Sequence, residues 1–133
     1  YLLGINVEIE GICINLVENA LKYTTPGTTI RVEWNETPRG EYVFYVEDEG
    51  PGIDPEDVPK LTRRYYRGAK SRADTTGSGL GLAIVQHAAT KHGATLQIDS
   101  TPAKGSRFSV SFPSYRCSHE QRKTARVFNL ADY

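Results

Sequence analysis

The sequence predicts an α+β fold, a two-layer sandwich with helices on one face of a largely antiparallel sheet. Three observations carry that prediction. The elements read in the order helix, hairpin, short helix, loop, helix, hairpin. Two long stretches, 8–23 and 80–92, repeat apolar residues on a helical period. The strand-like runs come in pairs joined by short turns, without the strict strand–helix alternation of a doubly wound sheet.

Taken in order, Ile9, Ile12, Cys13, Leu16, Val17 and Ala20 form a core-facing stripe on the helix at 8–23. Thr24-Thr25-Pro26-Gly27 stops that helix. Residues 29–34 alternate around Ile30 and Val32 and predict a strand. Pro38-Arg39-Gly40 turns the chain into a second strand at 42–46, rich in Val, Tyr and Phe. Asp48-Glu49-Gly50-Pro51-Gly52 breaks the pattern. A short helix is expected over 55–61, with Asp54 as N-cap and Pro55 at the first helical position. Residues 63–76 are polar and irregular, carry Arg63, Arg64, Arg67, Lys70 and Arg72, and predict a surface loop. Leu80 opens the second long helix and Gly93 ends it; His87 falls on its expected core stripe. Strands at 95–100 and 107–112 close the pattern, joined by Thr101-Pro102-Ala103-Lys104-Gly105. Residues 114–133 show no period beyond a short helix expected around 120–128.

A length of 133 residues suggests one domain. Sixteen basic residues balance sixteen acidic ones, so no cationic surplus exists for general nucleic-acid binding. No apolar run reaches the length of a membrane span, and no signal peptide is evident. Cys13 falls on a helix face and Cys117 in a polar tail, which is no disulfide framework and points to a reduced setting. The chain starts in Tyr1-Leu2-Leu3 and contains no Met, and so reads as part of something larger.

Three stretches invite a chemical reading. Gly77-Ser78-Gly79-Leu80-Gly81 runs into a helix. Glycines let a backbone approach a ligand closely, and a helix N-terminus offers unpaired N–H groups and a positive dipole end, so phosphate is the natural guest. On the first helix, Asn15, Glu18, Asn19 and Lys22 form a polar stripe, read as lying opposite the apolar one. Most such stripes are simply solvated, but Asn is a mediocre helix former and its carbonyl is a hard oxygen ligand suited to Mg²⁺. Asp48 ends a strand where a carboxylate can accept from a base amino group, though Glu47 and Glu49 flank it and composition does not decide between them. The Walker A and Rossmann patterns fail, because Ala69-Lys70-Ser71 lacks the required glycine and the glycine spacing is G-x-G-x-G after a polar loop. No protein-kinase H-R-D or D-F-G is present.

The set as a whole resembles the catalytic ATP-binding domain of sensor histidine kinases. Asn15-Leu16-Val17-Glu18-Asn19-Ala20-Leu21-Lys22-Tyr23-Thr24 resembles their N box, and Asp48-Glu49-Gly50-Pro51-Gly52-Ile53 their G1 box. Arg64-Tyr65-Tyr66-Arg67 resembles the F-box region, 77–85 the G2 box and Lys104-Gly105-Ser106-Arg107-Phe108 the closing glycine motif. The motifs keep family order from Gly4 to Pro113, and 63–92 looks most like the phosphate-responsive sensor kinases.

The resemblance implies a Bergerat-type ATP-binding fold, shared with gyrase, Hsp90 and MutL-type ATPases, with a flexible ATP lid. It implies a catalytic domain at 1–113 and a C-terminal tail of unknown role at 114–133. It implies that Asn19 ligates Mg²⁺, with Asn15 near the phosphates or a metal-bound water, Lys22 pairing with phosphate and Tyr23 flanking the nucleotide. Asp48 would accept from the adenine amino group, and Gly50, Gly52 and Ile53 would shape the base pocket. Tyr66, Arg67 and Lys70 would belong to the lid. Gly77, Gly79, Leu80, Gly81 and Leu82 would turn backbone N–H groups to the phosphates, and Ser106 would replace the commoner Thr beside the base. Asn15, Asn19, Lys22 and Arg67 are the residues expected to serve phosphoryl transfer.

One position separates kinase from hydrolase. ATPases of this fold place a catalytic Glu one helical turn before the Mg²⁺-binding Asn; here Asn15 stands there, and its amide is no general base. Transfer to a protein histidine is therefore expected over hydrolysis. The acceptor would lie on a dimerising helical hairpin outside this chain, in a homodimeric protein anchored in the bacterial inner membrane, with a response regulator downstream. Ser118-His119-Glu120-Gln121-Arg122 resembles the start of an acceptor motif but lacks the Thr-Pro that follows and lies on the wrong side of the domain. The alternatives are a Bergerat-fold ATPase, an anti-sigma-type serine kinase or a non-catalytic interaction module.

Overall fold

The computed structural model describes residues 1–66 and 80–118 and the backbone of 128–129. Helix α1 spans Asn6–Tyr23 and helix α2 spans Gly81–Lys91. The strands are β1 (Ile30–Glu36), β2 (Tyr42–Asp48), β3 (Thr95–Thr101), β4 (Gly105–Phe112) and the two-residue β5 (Phe128–Asn129). They form one sheet in the order β3-β4-β2-β1-β5, antiparallel at every pairing. The expected hairpins are β1/β2 and β3/β4, joined side by side through β2 and β4.

Both helices pack on one face of this sheet. Ile12, Leu16 and Ala20 of α1 and Val85, Ala88 and Ala89 of α2 meet Phe44 and Val46 of β2 and Phe108, Val110 and Phe112 of β4. Strand β4 shows the cause most plainly, because every second residue from Ser106 onward is buried. Removing one such side chain, as in Leu16→Ala, costs about 2–5 kcal/mol. The open face is polar: Arg31, Glu47, Arg107 and Asp99 follow one another across neighbouring strands. Opposite charges at directly paired positions keep this row favourable.

Several sequence expectations need correction. No α-helix forms over 55–61; the chain makes a turn and a short 3₁₀ helix at Val58–Lys60, and Asp54 is not its N-cap. Pro59 lacks the N–H that would close the first helical turn onto Pro55. His87 is exposed, and the buried stripe of α2 runs through Val85, Ala88, Ala89 and on to His92. His92 accepts from the Ile5 N–H at Nε2 (3.0 Å), and its Nδ1 lies 2.7 Å from the Ala88 carbonyl, so it anchors the amino-terminal segment. Cys117 is no polar-tail residue: it is buried in the core cluster, and its backbone pairs with Leu2. The short helix expected around 120–128 lies outside the described residues except at Phe128, which is in β5, and His119 also lies outside them.

Candidate functional site

The site is built where the ends of β2, β3 and β4 meet the ends of the helices. Alternation along β2 decides which carboxylate faces inward. Phe44 and Val46 point to the core, so Asp48 does too, and it is 6% exposed. Glu47 turns to the open face toward Arg31, and Glu49 is exposed. The Asp48 carboxylate accepts from the Gly50 N–H at 2.9 Å, and the neighbouring backbone N–H of Ser106 also favours its charged form. Burial pushes its pKa above the ordinary 3.8, and these two N–H groups pull the other way. Such a carboxylate is held in one orientation by backbone and keeps spare acceptor capacity.

The loop after Asp48 has to be glycine at two points. A Cβ on Gly50 would stand 2.9 Å from both an Asp48 oxygen and the carbonyl of Tyr23, so the loop presses against the end of α1. Gly52 has φ +72 and its Cβ would meet the Thr101 carbonyl at 2.3 Å. The loop is tied to the β3–β4 turn by the Ala103 N–H on the Pro51 carbonyl (2.7 Å) and the Ile53 N–H on Ser100 Oγ (2.8 Å). Strand register then sets Asp48 beside Ser106 and Ser106 beside Ser100 in one row. The two serine hydroxyls lie 2.8 Å apart. A cleft of about 970 Å³ opens at this end of the sheet; Asp48, Ser100 and Ser106 border it, but so do Arg31, Glu47, Asp99 and Arg107 of the open face, and no described residue of α1 or α2 lines it.

The second half is helical. Asn15 and Asn19 are half-buried on the flank of α1 that faces α2, not on the side opposite the core stripe. The side opposite carries the exposed Val7, Ile14 and Leu21 instead. Asn15 Nδ2 donates to the Gly11 carbonyl at 2.7 Å, which fixes its amide. Its Oδ1 then faces Gly81, whose added Cβ would stand 3.1 Å away. Gly81 opens α2, and its N-cap, Leu80, supplies no side-chain hydrogen bond. Among the described residues no side chain caps the first-turn N–H groups of α2, a setting that suits an anion beside the two asparagines.

Lys22 is exposed and Tyr23 half-buried at the end of α1, while Leu82 packs against the core cluster. Tyr66 donates its hydroxyl to Asp57. Arg67, Lys70, Gly77 and Gly79 lie outside the described residues. Glu18 is exposed, and Glu8, two turns before Asn15, is engaged by Lys91 at 2.7 Å. Neither thiol is primed as a nucleophile: burial pushes Cys13 up to about 11 and raises Cys117 as well. Sequence reasoning missed Ser100, whose place in the site comes from register and from the docked loop.

Comparison with known proteins gives this geometry a lineage. Residues 4–116 match the family described as histidine kinase-, DNA gyrase B- and HSP90-like ATPase. The chain is 42% identical over 124 residues to the phosphate regulon sensor protein PhoR of Pseudomonas aeruginosa, covering 92% of this chain and 28% of that protein. It is 41% identical over 102 residues to the sensor-like histidine kinase SenX3 of Mycobacterium tuberculosis, covering 75% of this chain and 24% of that one. Thus it spans only about a quarter of the length of such relatives. Among solved structures, the mycobacterial sensor histidine kinase MprB superposes with a TM-score of 0.77 at 30% identity, covering 84% of this chain and 76% of that one. The chain belongs to the histidine kinase-, DNA gyrase B- and HSP90-like ATPase family, and its two-layer α+β fold is that of histidine kinase catalytic domains.

Proposed function

We propose that this chain is the catalytic domain of a two-component sensor histidine kinase, binding Mg-ATP and passing the γ-phosphoryl group to a histidine on a separate dimerisation domain. The observation that carries this reading is the pairing of a buried, backbone-held Asp48 with the Asn15/Asn19 flank set against the start of α2. One end suits a base amino group, the other a polyphosphate.

The residues divide the work. Asp48 accepts from the adenine amino group, with Ser106 beside it and Gly50, Gly52 and Ile53 shaping the wall of the pocket. Asn19 offers a hard amide oxygen to Mg²⁺, and Asn15 holds the neighbouring position with its amide fixed by Gly11. The metal, when bound, neutralises charge on the phosphates. The N–H groups at the start of α2, from Leu80, Gly81 and Leu82, take phosphate oxygens; Gly77 and Gly79 extend that cradle. Lys22 adds a cation, and Tyr23 flanks the nucleotide. Tyr66, Arg67 and Lys70 act as a lid that excludes water during transfer and opens for ADP to leave.

Transfer is favoured over hydrolysis by what stands one turn before Asn19. An Asn15 amide cannot take a proton from water, Glu18 is exposed, and Glu8 is occupied by Lys91. Residues 1–113 form the bulk of the catalytic domain, and the segment 114–133 that follows begins inside it, with Cys117 in the core cluster and Arg116 and Ser118 bonded to the amino-terminal segment. The full protein works as a membrane-anchored homodimer that hands the phosphoryl group to a response regulator. Incubating the full-length protein with γ-labelled ATP tests the reading. The label should become acid-labile and alkali-stable on protein, as for a phosphoramidate, with little free phosphate released. Rapid release of inorganic phosphate without protein labelling would favour the ATPase alternative.

A further inference from the structure

We propose that Ser100 is a positioning residue of the base pocket, which orients the Ser106 hydroxyl and locks the loop carrying Ile53 onto the edge of the sheet. The inference rests on the nucleotide reading above and extends it to a residue that does not need to touch the nucleotide.

Among the described residues β3 is an edge strand of the sheet. The loop 50–53 docks at its end, against the β3–β4 turn and the Ser100 side chain. Three contacts hold it: the Ile53 N–H on Ser100 Oγ (2.8 Å), the Ala103 N–H on the Pro51 carbonyl (2.7 Å), and Gly52 against the Thr101 carbonyl. Only the first of these uses a side chain, so it is the one that a substitution can remove without rebuilding the turn.

The same hydroxyl reaches inward. Ser100 Oγ lies 2.8 Å from Ser106 Oγ and 3.1 Å from the Gly105 carbonyl. A serine hydroxyl has one proton and two lone pairs. One lone pair is taken by the Ile53 N–H, which leaves two arrangements. Ser100 gives its proton to the Gly105 carbonyl and accepts from Ser106, so Ser106 shows the cleft lone pairs only. Alternatively Ser100 donates to Ser106, and the Ser106 proton turns toward the cleft. The ring nitrogen next to the adenine amino group is an acceptor, so it is met by the second arrangement, directly or through water. Asp48 lies in the same cross-strand row as Ser106 and Ser100. One row thus presents an acceptor for the amino group and a donor for the ring, and Ser100 sets the donor.

Calorimetric titration of ATP, with and without Mg²⁺, tests this on Ser100→Ala, Ser100→Cys and Ser100→Thr. The alanine and cysteine variants should bind ATP about tenfold more weakly, the loss expected for one unpaired donor and one undirected hydroxyl. Their affinity gain from Mg²⁺, which reads the phosphate end, should stay at the wild-type ratio. Threonine keeps the hydroxyl on a strand position that favours β-branching, and should restore wild-type affinity. Unchanged ATP affinity in both alanine and cysteine variants overturns the proposal. So does a loss that threonine fails to restore, or one that also abolishes the Mg²⁺ gain, since either marks a general structural defect. A wild-type chain that binds no ATP refutes the nucleotide reading itself.

Discussion

The base end and the phosphate end of the site are made from different kinds of structure. The base end is a row of strand residues, Asp48, Ser106 and Ser100, fixed by cross-strand register and by backbone N–H groups. The phosphate end is the flank of one helix and the start of another, with the exposed Lys22 nearby. Register is all-or-none, because a one-residue slip turns every side chain to the other face. Helix flanks and dipoles act through several partial contributions that salt and water weaken. Substitutions at the base end should therefore cut deep at one residue, and those at the phosphate end should cost less and show in the Mg²⁺ dependence.

The largest effect is expected at Asp48. Asp48→Asn removes the charged acceptor and places an amide N–H₂ among backbone donors, so ATP affinity should fall by about 2–3 kcal/mol. Titration calorimetry reads the loss, and an affinity within twofold of wild type would break the assignment. Next comes Asn19→Ala, which should lower Mg-ATP affinity by about 1–2 kcal/mol and abolish the difference between measurements with and without Mg²⁺. Retained Mg²⁺ dependence would remove Asn19 as the ligand.

Gly81→Ala separates stability from binding. Alanine gains up to about 1 kcal/mol of helix propensity over glycine within a helix, so the melting temperature should hold or rise. The new methyl stands 3.1 Å from Asn15 Oδ1 and should push that amide aside, weakening ATP binding severalfold. A variant that binds ATP normally would mean the two helices do not share a ligand.

The smallest effect near neutrality is on pH dependence. Burial raises the Asp48 carboxyl above its ordinary 3.8. A carboxyl raised in the folded state contributes stability below its unfolded pKa, and that contribution is lost as pH rises through the folded value. ATP binding runs the other way, because the protonated carboxyl is a poorer acceptor. Affinity should therefore fall as pH drops through the raised value, and the Asp48→Asn variant should show a flatter profile over that interval. An equal decline in both would place the titrating group elsewhere.

Much of this was legible in the sequence, for identifiable reasons. Helical and strand periods placed α1, α2 and the two hairpins within a few residues, because each buries one face. Asp48 stood out as a carboxylate at a strand end, and counting alternation on from Phe44 and Val46 would have chosen it over Glu47 and Glu49. Ser100 carried no signal, since a serine in a strand gains its role only from a partner strand and a docked loop. Cys117 was misread because its burial depends on pairing with Leu2 at the far end of the chain. The stretch 55–61 was misread because the cap and the first proline were weighed ahead of Pro59. Asn15 and Asn19 were matched to the right chemistry but placed on the wrong side of the helix, and the packing of α2 moves them to its flank.

The two-ended account is tested most directly by one calorimetric series: ATP titrated into wild type, Asp48→Asn and Asn19→Ala, each with and without Mg²⁺. The wild-type chain should bind ATP with saturable heat, more tightly with Mg²⁺; Asp48→Asn should bind weakly yet keep the Mg²⁺ gain, and Asn19→Ala should lose that gain. Absence of heat from the wild-type chain at millimolar ATP, or the same Mg²⁺ gain in all three proteins, would contradict the account.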